Sequence, residues 1–474
     1  MKKTSLLLKL GIVLIITMLS VSFAFADTTD GDDYYDDDDY YEDDWVNPSV
    51  PGYTLGENGE EALEEFGISP NNVIFANSLD TLYDALDYAG YMAEQSSAAT
   101  AEEPKPMYMV YMVPGNYSHR STYYIPENVL LVGEEDTKFT YTGTSSTCFS
   151  LRGSVYGGTY IGNPKISGKK GRVFVFENTT LTYPNGIVKN TYVSKAGWSG
   201  IEARGTDAKG GQVIGNTITD CNGNGVRSIG GATLKLVEGN KISGSGQAGI
   251  DITCGNVTTI KGNTIKDVEG HGISTDTEQK FDSSVKVKCT IKDVIDNKIT
   301  DTGKHGIYLE EKCYITGTMK GNKIGKNKKC AIGTHKKTKI NNMINNELYG
   351  SKMSVFGIYG TANMGSGNSV HSGKAAGIVI GPGAKLYIKG KNNKVYKNKL
   401  NGIQLMKSSR LSITGKSTKI YSNRWGVNIG AKKSKATIKY AKFYKNKKGA
   451  IYCVKGSSFT KKSCSIKGKV YKAR

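Results

Sequence analysis

Three carboxylates, Asp251, Asp276 and Glu310, share a stretch of chain with His271, His305, Tyr308 and Arg227. These residue types cover the proton chemistry needed to process a polysaccharide. Inverting glycoside hydrolysis requires two carboxyl groups about 6.5–9.5 Å apart, one giving a proton and one activating water. Lyase chemistry requires a base for the proton beside a uronate carboxylate, and an arginine or Ca²⁺ to neutralise that carboxylate. Asp251, Asp276 and Glu310 are therefore the candidate acid/base or calcium-binding groups. His271, His305 and Tyr308 are the candidate proton carriers, and Arg227 is the candidate charge neutraliser. A structural expectation competes for part of this set. Glu202, Arg227 and Asp251 have the order of a surface ion-pair ladder, and the histidines suit turns with unusual dihedrals.

A repeat must position these residues. The phrase Asn-x-Ile, followed nine residues after its Asn by Gly-Ile, recurs about every 24 residues. Examples are Asn216…Gly225-Val226, Asn240…Gly249-Ile250, Asn263…Gly272-Ile273 and Asn297…Gly306-Ile307. A fixed period of this size denotes a solenoid, in which each repeat buries its apolar face against its neighbours. A repeat this short accommodates about three strands and no helix, and the leucine ladder of leucine-rich repeats is absent. The expected fold is all-β, a parallel β-helix. Because strand side chains alternate, Ile250 and Ile252 point inward and Asp251 outward. Outer columns then read Glu202, Arg227, Asp251, Ser274, Tyr308, Gly333, Tyr359, and, two positions on, Thr253, Asp276, Glu310, His335. A third holds His271, His305 and Cys330. The Asn column, from Asn190 through Asn216 to Asn393, suits an internal amide ladder. The repeat from Gly272 to Gly306 is longer than the others, so a loop within Asp276–Lys286 is predicted to bulge out.

Residues 1–26 have the form of a secretory signal peptide: Lys2-Lys3, an apolar run from Leu6 to Val21, and Ala24-Phe25-Ala26. The mature chain is expected to be secreted, extracellular or surface-associated, monomeric and without a membrane span. Residues 27–68 are expected to be an acidic disordered tail and linker, since 27–44 hold eleven Asp or Glu and no base. Ser78–Glu94 has helical apolar spacing with Ser78 as N-cap, and strands are predicted at Met107–Val113 and across Tyr123–Val132. Residues 69–135 would thus cap the solenoid, with repeats over 136–474. The eight cysteines are compatible with disulfides in an exported protein or with small core residues, and their spacing does not suit zinc.

Charge is segregated along the chain. The net charge is +20, and from Leu348 to Arg474 there are 28 Lys or Arg and no Asp or Glu. Such a block favours a polyanionic partner, or serves solubility. Alternation aligns Tyr396, Tyr421 and Tyr444, with Lys397 and Lys445 beside them. Aromatic faces flanked by cations can hold the rings of an acidic glycan. For an exported chain this partner is preferred over nucleic acid. The acidic tail is further expected to fold back on the basic repeats and weaken ligand binding.

The helix at Ser78–Glu94, the segments Val113-Pro114-Gly115-Asn116-Tyr117 and Ile125-Pro126-Glu127-Asn128-Val129, and the Asn-x-Ile…Gly-Ile repeats together resemble the pectin-lyase-like superfamily over roughly residues 70–474. The resemblance implies a single-stranded right-handed parallel β-helix with a short N-terminal helical cap. It implies no single activity, because that superfamily holds lyases, glycosidases, epimerases, esterases, adhesins and phage tail proteins. Gly270-His271-Gly272 resembles the Gly-His-Gly of polygalacturonases, whose Asn-Thr-Asp and Arg-Ile-Lys elements this chain lacks. The expected function is binding, and by extension lyase or hydrolase cleavage, of an acidic polysaccharide. A non-catalytic, adhesin-like surface scaffold is the alternative.

Overall fold

The computed structural model describes residues 48–96, 105–166, 171–177, 179–277 and 288–473. The signal peptide, the acidic tail and all but the start of the loop expected within Asp276–Lys286 lie outside the described residues. From residue 108 onward short parallel strands stack in register. One face is a sheet of fifteen strands, and the remaining strands join into a second sheet of 29. Seven strands of the first sheet matter below: β1 (Ile201–Arg204), β2 (Asn224–Ile229), β3 (Ala248–Thr253), β4 (His271–Asp276), β5 (Ile307–Leu309), β6 (Ile332–Thr334) and β7 (Phe356–Ile358).

The repeated phrase has a packing cause. An added Cβ on Gly249 would lie 2.5 Å from Cγ2 of Ile265, and one on Gly272 would lie 2.3 Å from Cγ2 of Ile299. Ile265 and Ile299 are the isoleucines of the Asn-x-Ile phrase one repeat on. Each therefore presses on the bare backbone of the preceding Gly-Ile strand, and only glycine leaves room. The inward residues Ile250, Ile252, Ile273, Ile307, Leu309 and Ile332 are fully buried and form one continuous core.

Asparagine closes the turn. The backbone N–H and Nδ2 of Asn216 both donate to Oδ1 of Asn240 (2.9 and 3.0 Å), and Nδ2 also donates to the Val188 carbonyl at 2.9 Å. The pattern passes upward through Asn263, Asn297, Asn322, Asn346 and Asn368 to Asn393, all buried. A buried amide left without these partners costs about 1–3 kcal/mol, so each rung fixes the residue type of the next. Asn190 does not belong to the ladder. Thr191 holds that position, donating its Oγ1 to Asn216 Oδ1 at 2.8 Å, while Asn190 takes the left-handed turn (φ 55°) just before it. A second ladder, Asn398–Asn423–Asn446, lies at another turn and has no counterpart in the sequence expectation.

The N-terminal end is covered by two helices, α1 (Glu57–Phe66) and α2 (Leu79–Gln95). α2 has the expected Ser78 cap, here a capping box with Thr81, and buries Leu82, Ala85, Leu86 and Ala89. α1 falls in the span expected to be linker. Its sequence is mostly acidic, and its N-terminus is held by a residue far away in sequence. Glu134 accepts from the backbone N–H groups of Asn58 and Gly59 at 3.1 and 3.0 Å. All eight cysteines are free thiols, seven of them buried, so small core residues are what the fold makes of them. Among the described residues, no helix is long and apolar enough to cross a membrane.

Candidate functional site

Register from β1 to β7 places Glu202, Arg227, Asp251, Ser274, Tyr308, Gly333 and Gly357 in one outer column. Tyr359, expected in that column, lies two residues further on. Gly357 resembles the glycine of the repeat phrase, but Phe356 pairs with Ile332, so Val355 occupies that place.

The first three residues of the column, with Arg172, form an ion ladder. Arg172 Nε donates to Glu202 at 2.8 Å, Arg227 Nη1 lies 3.7 Å from the other Glu202 oxygen, and Arg227 Nε donates to Asp251 at 3.0 Å. It is not the surface ladder that alternation suggested. Glu202 is fully buried, and Arg172, Arg227 and Asp251 are 5–8 % exposed. Trp198 covers it, its ring 5.9 Å from the Arg227 guanidinium carbon. Both Asp251 oxygens are engaged, because Thr253 and Ser274 also donate to them at 2.8 and 2.7 Å. Asp251 and Arg227 thus hold each other in place on the floor of the site.

His271 and His305 stack with Tyr308, with ring centroids 4.8–5.4 Å apart and planes within 18° of parallel. Nδ1 of His271 accepts from the backbone N–H of His305 at 3.4 Å, and Nδ1 of His305 from that of Cys330 at 3.2 Å. An accepting Nδ1 leaves the ring proton on Nε2. Burial and then the charges of His305, Lys304 and Lys329 lower the His271 pKa to about 3. Burial, Lys329 and Lys304 lower that of His305 to about 4. Both rings are neutral at pH 7 and present N–H donors instead of imidazolium acids. Neither backbone is left-handed, in contrast to the turn expectation.

Burial, and then the neighbouring Glu310, raise the Tyr308 pKa, so its hydroxyl keeps its proton. Glu310 lies on the next position after Leu309, beside Asp276 in the column that runs on from Thr253. Thr275 Oγ1 accepts the Glu310 backbone N–H at 3.1 Å, and the Glu310 carboxylate is 3.5 Å from His335 Nδ1. Asp276, Glu310 and Tyr308 therefore bring two carboxyl groups and a protonated phenol to one edge of the sheet.

These groups line a cleft of about 620 Å³ across β2–β5. Trp198 and Arg227 stand at one end and Tyr308 at the other. Gln247, Glu269 and Lys304 form the wall opposite Asp276 and Glu310. The sequence expectation missed that wall. Its signal was the turn before each strand, where Gln247, Gly270 and Lys304 occupy successive rungs. Among the described residues no group of three or more His, Cys, Asp or Glu could hold a metal ion. Asp251 already accepts from three protein donors, so the described residues do not form a calcium cage.

The second expected set lies in the other sheet. Tyr396, Tyr421 and Tyr444 stack at 4.7–4.9 Å, and the column extends through His371 to Tyr349. Neighbouring rings cover one another's faces, so the column presents edges and hydroxyls instead of open platforms. Lys397 and Lys445 follow in left-handed turns (φ 52° and 53°) and are exposed. Around them Lys394, Lys419 and Lys442 form one row, and Lys385, Arg410 and Lys435 another.

Comparison with known proteins follows this geometry. The family model described as right handed beta helix region matches residues 150–294, 180–352 and 293–466, together more than half of the chain. No curated protein is matched. The chain is similar to a solved structure of the Dettilon tailspike protein, gp208, at 13 % identity and a TM-score of 0.43, over 68 % of this chain and 70 % of that one. It is similar to the A-module of the Azotobacter vinelandii mannuronan C-5 epimerase AlgE4 at 11 % identity and a TM-score of 0.41, over 86 % and 99 %. The catalytic unit of a GH87 alpha-1,3-glucanase from Streptomyces thermodiastaticus shows 14 % identity and a TM-score of 0.38, over 85 % and 68 %.

Proposed function

This chain belongs to the right-handed beta helix family, and from that premise we propose that it is an exported protein whose cleft across β2–β5 binds an acidic polysaccharide. One observation carries this proposal. The cleft sets Asp276 and Glu310 along one wall with the protonated Tyr308 at their end, and Lys304, beside Glu269, on the other wall. A uronate chain would lay its carboxylates toward Lys304 and expose its ring protons and glycosidic oxygens to the acidic wall. One of Asp276 and Glu310 would take the ring proton beside the uronate carboxylate, and Tyr308 would give its proton to the glycosidic oxygen as that C–O bond breaks, the phenolate then regaining a proton from solvent. Arg227, Asp251 and His271 serve this arrangement as a rigid floor of fixed N–H donors and internally paired charge, with His305 stacked against His271 and Tyr308. The basic rows of the later repeats would add long-range attraction for the same polyanion.

The alternative of a non-catalytic scaffold is favoured by the internal pairing of Arg227 with Asp251. One experiment separates the two. The protein is incubated with polygalacturonate, alginate and hyaluronan, and both unsaturated products and new reducing ends are measured, alongside binding by affinity electrophoresis. Activity that falls at least a hundredfold in Asp276→Asn and Glu310→Gln supports the catalytic assignment. Binding without turnover removes it and leaves the scaffold. Failure to retain any of the three polymers would overturn the polysaccharide function itself.

A further inference from the structure

The cleft does not end the surface. Beyond Tyr308 the outer column reads Gly333, Gly357 and then Val379, so two successive rungs carry no side chain. The result is a second hollow of about 450 Å³, within the range of small-ligand sites. His305, Cys330 and Met353 stand on one side of it, and Thr334, His335 and Tyr359 on the other.

The two glycines have different causes. A Cβ on Gly333 would lie 2.6 Å from Nδ1 of His305, so the stacked histidine requires glycine there. Gly357 has no such requirement. A Cβ at that position would meet Cys330 Sγ at 3.4 Å and nothing closer, and its φ is not in the left-handed region. Glycine inside a strand is less favourable than alanine, because it loses more backbone freedom on folding. An unforced strand glycine marks a place where something else approaches the backbone closely.

The rim indicates what approaches. Met353 and Tyr359 are 51 % and 44 % exposed, and both line this one hollow. The Tyr359 ring lies over Gly381, where an added Cβ would come within 2.5 Å of it, so its position is fixed from below. Lys329 and Lys336 also line the hollow, and among the described residues neither has a carboxylate partner, whereas the adjacent Lys337 is held by Glu311 at 2.9 Å. An apolar lip with unneutralised cations is complementary to a pyranose ring bearing a carboxylate.

We propose that the hollow over Gly333 and Gly357 is a subsite for one anionic sugar unit of a glycan chain that continues from the cleft past Tyr308. Gly357 then sets which sugar is accepted. This inference rests on the polysaccharide function proposed above. The test is Gly357→Val, which supplies the side chain that Val379 already carries one rung on. Binding of size-fractionated oligogalacturonate, oligomannuronate and hyaluronan oligosaccharides is measured by calorimetry on the full chain, with melting temperature as the fold control. The expected result is an unchanged or higher melting temperature with affinity for the preferred oligosaccharide reduced at least tenfold. Lys329→Gln with Lys336→Gln should also lower that affinity tenfold, but leave affinity for the carboxyl-reduced oligosaccharide unchanged. This pair is on the surface and decides the matter even if Gly357→Val fails to fold. Wild-type affinity in both variants would overturn the subsite while leaving the cleft intact. Absence of binding by the wild-type protein to every probe would overturn the cleft function and the subsite with it.

Discussion

The repeats around β1–β5 and those after Leu348 use the same coil to opposite ends. In the first region charge is drawn inside and paired. Arg172, Glu202, Arg227 and Asp251 lie under Trp198 with their oxygens and nitrogens matched. In the second no carboxylate exists to pair with, and rows such as Lys394–Lys419–Lys442, with Lys394 and Lys442 exposed and Lys419 half-buried, run along the surface at the rung spacing of about 4.8 Å. Like charges at such a distance repel by about 1 kcal/mol or less in water, and salt reduces this further. The same charges buried and unpaired would cost several kcal/mol each. A solenoid therefore buries charge beneath a cleft by pairing it in a ladder. It can carry a diffuse cationic surface at almost no cost.

The largest effect expected from this contrast is at Glu202. Glu202→Gln leaves the buried Arg172 and Arg227 facing a neutral amide, and should cost about 3–5 kcal/mol in urea unfolding. Lys442→Gln, at an exposed position of the basic row, should stay within about 0.5 kcal/mol. Equal midpoints for the two variants would erase the distinction between the regions.

Acid should act next, and on the first region. The folded-state values of His271 and His305, about 3 and 4, lie below the ordinary imidazole value near 6.5. The unfolded chain thus binds more protons below that pH, so the stabilisation is complete above about 6.5 and is lost as pH falls toward the folded values. Between pH 6.5 and 5, where most carboxylates remain ionised, the two histidines together should remove roughly 3 kcal/mol. The double variant His271→Gln with His305→Gln should flatten that slope in pH-dependent melting. A slope unchanged in the variant would move the acid sensitivity elsewhere.

The smallest effect belongs to the tyrosine column. If its rings act as a stack, a double-mutant cycle of Tyr396→Leu and Tyr421→Leu should show a coupling of about 0.5–1.5 kcal/mol. Zero coupling would mean that the column stabilises through burial alone.

Much of this was legible in the residues themselves. The Asn-x-Ile…Gly-Ile phrase carries the fold because its three elements are mutually required: the glycine makes room for the next isoleucine, and the asparagine answers the next asparagine. Alternation then sorted Asp251, Asp276, Glu310, Tyr308 and Arg227 onto one sheet correctly. Local similarity misled where a residue only looked like its neighbours in the repeat. Asn190 sits one place before the ladder position held by Thr191, and Gly357 two places after the position of the phrase glycine, which Val355 holds. α1 was invisible because Glu134, which caps it, is more than 70 residues away.

The sequence alone determined the coil, its inward and outward columns and the division between mixed-charge and purely basic repeats, because each follows from a period and from residue type. Tertiary structure decided which outward residues remain available for chemistry. Exposure, protonation and pairing depend on atoms from several rungs at once. Trp198 had to cover Arg227, the backbone N–H groups of later rungs had to reach His271 and His305, and Ser274 had to close on Asp251. Those contacts divide seven equivalent candidates between an internally bonded floor and a wall of carboxylates that faces the cleft.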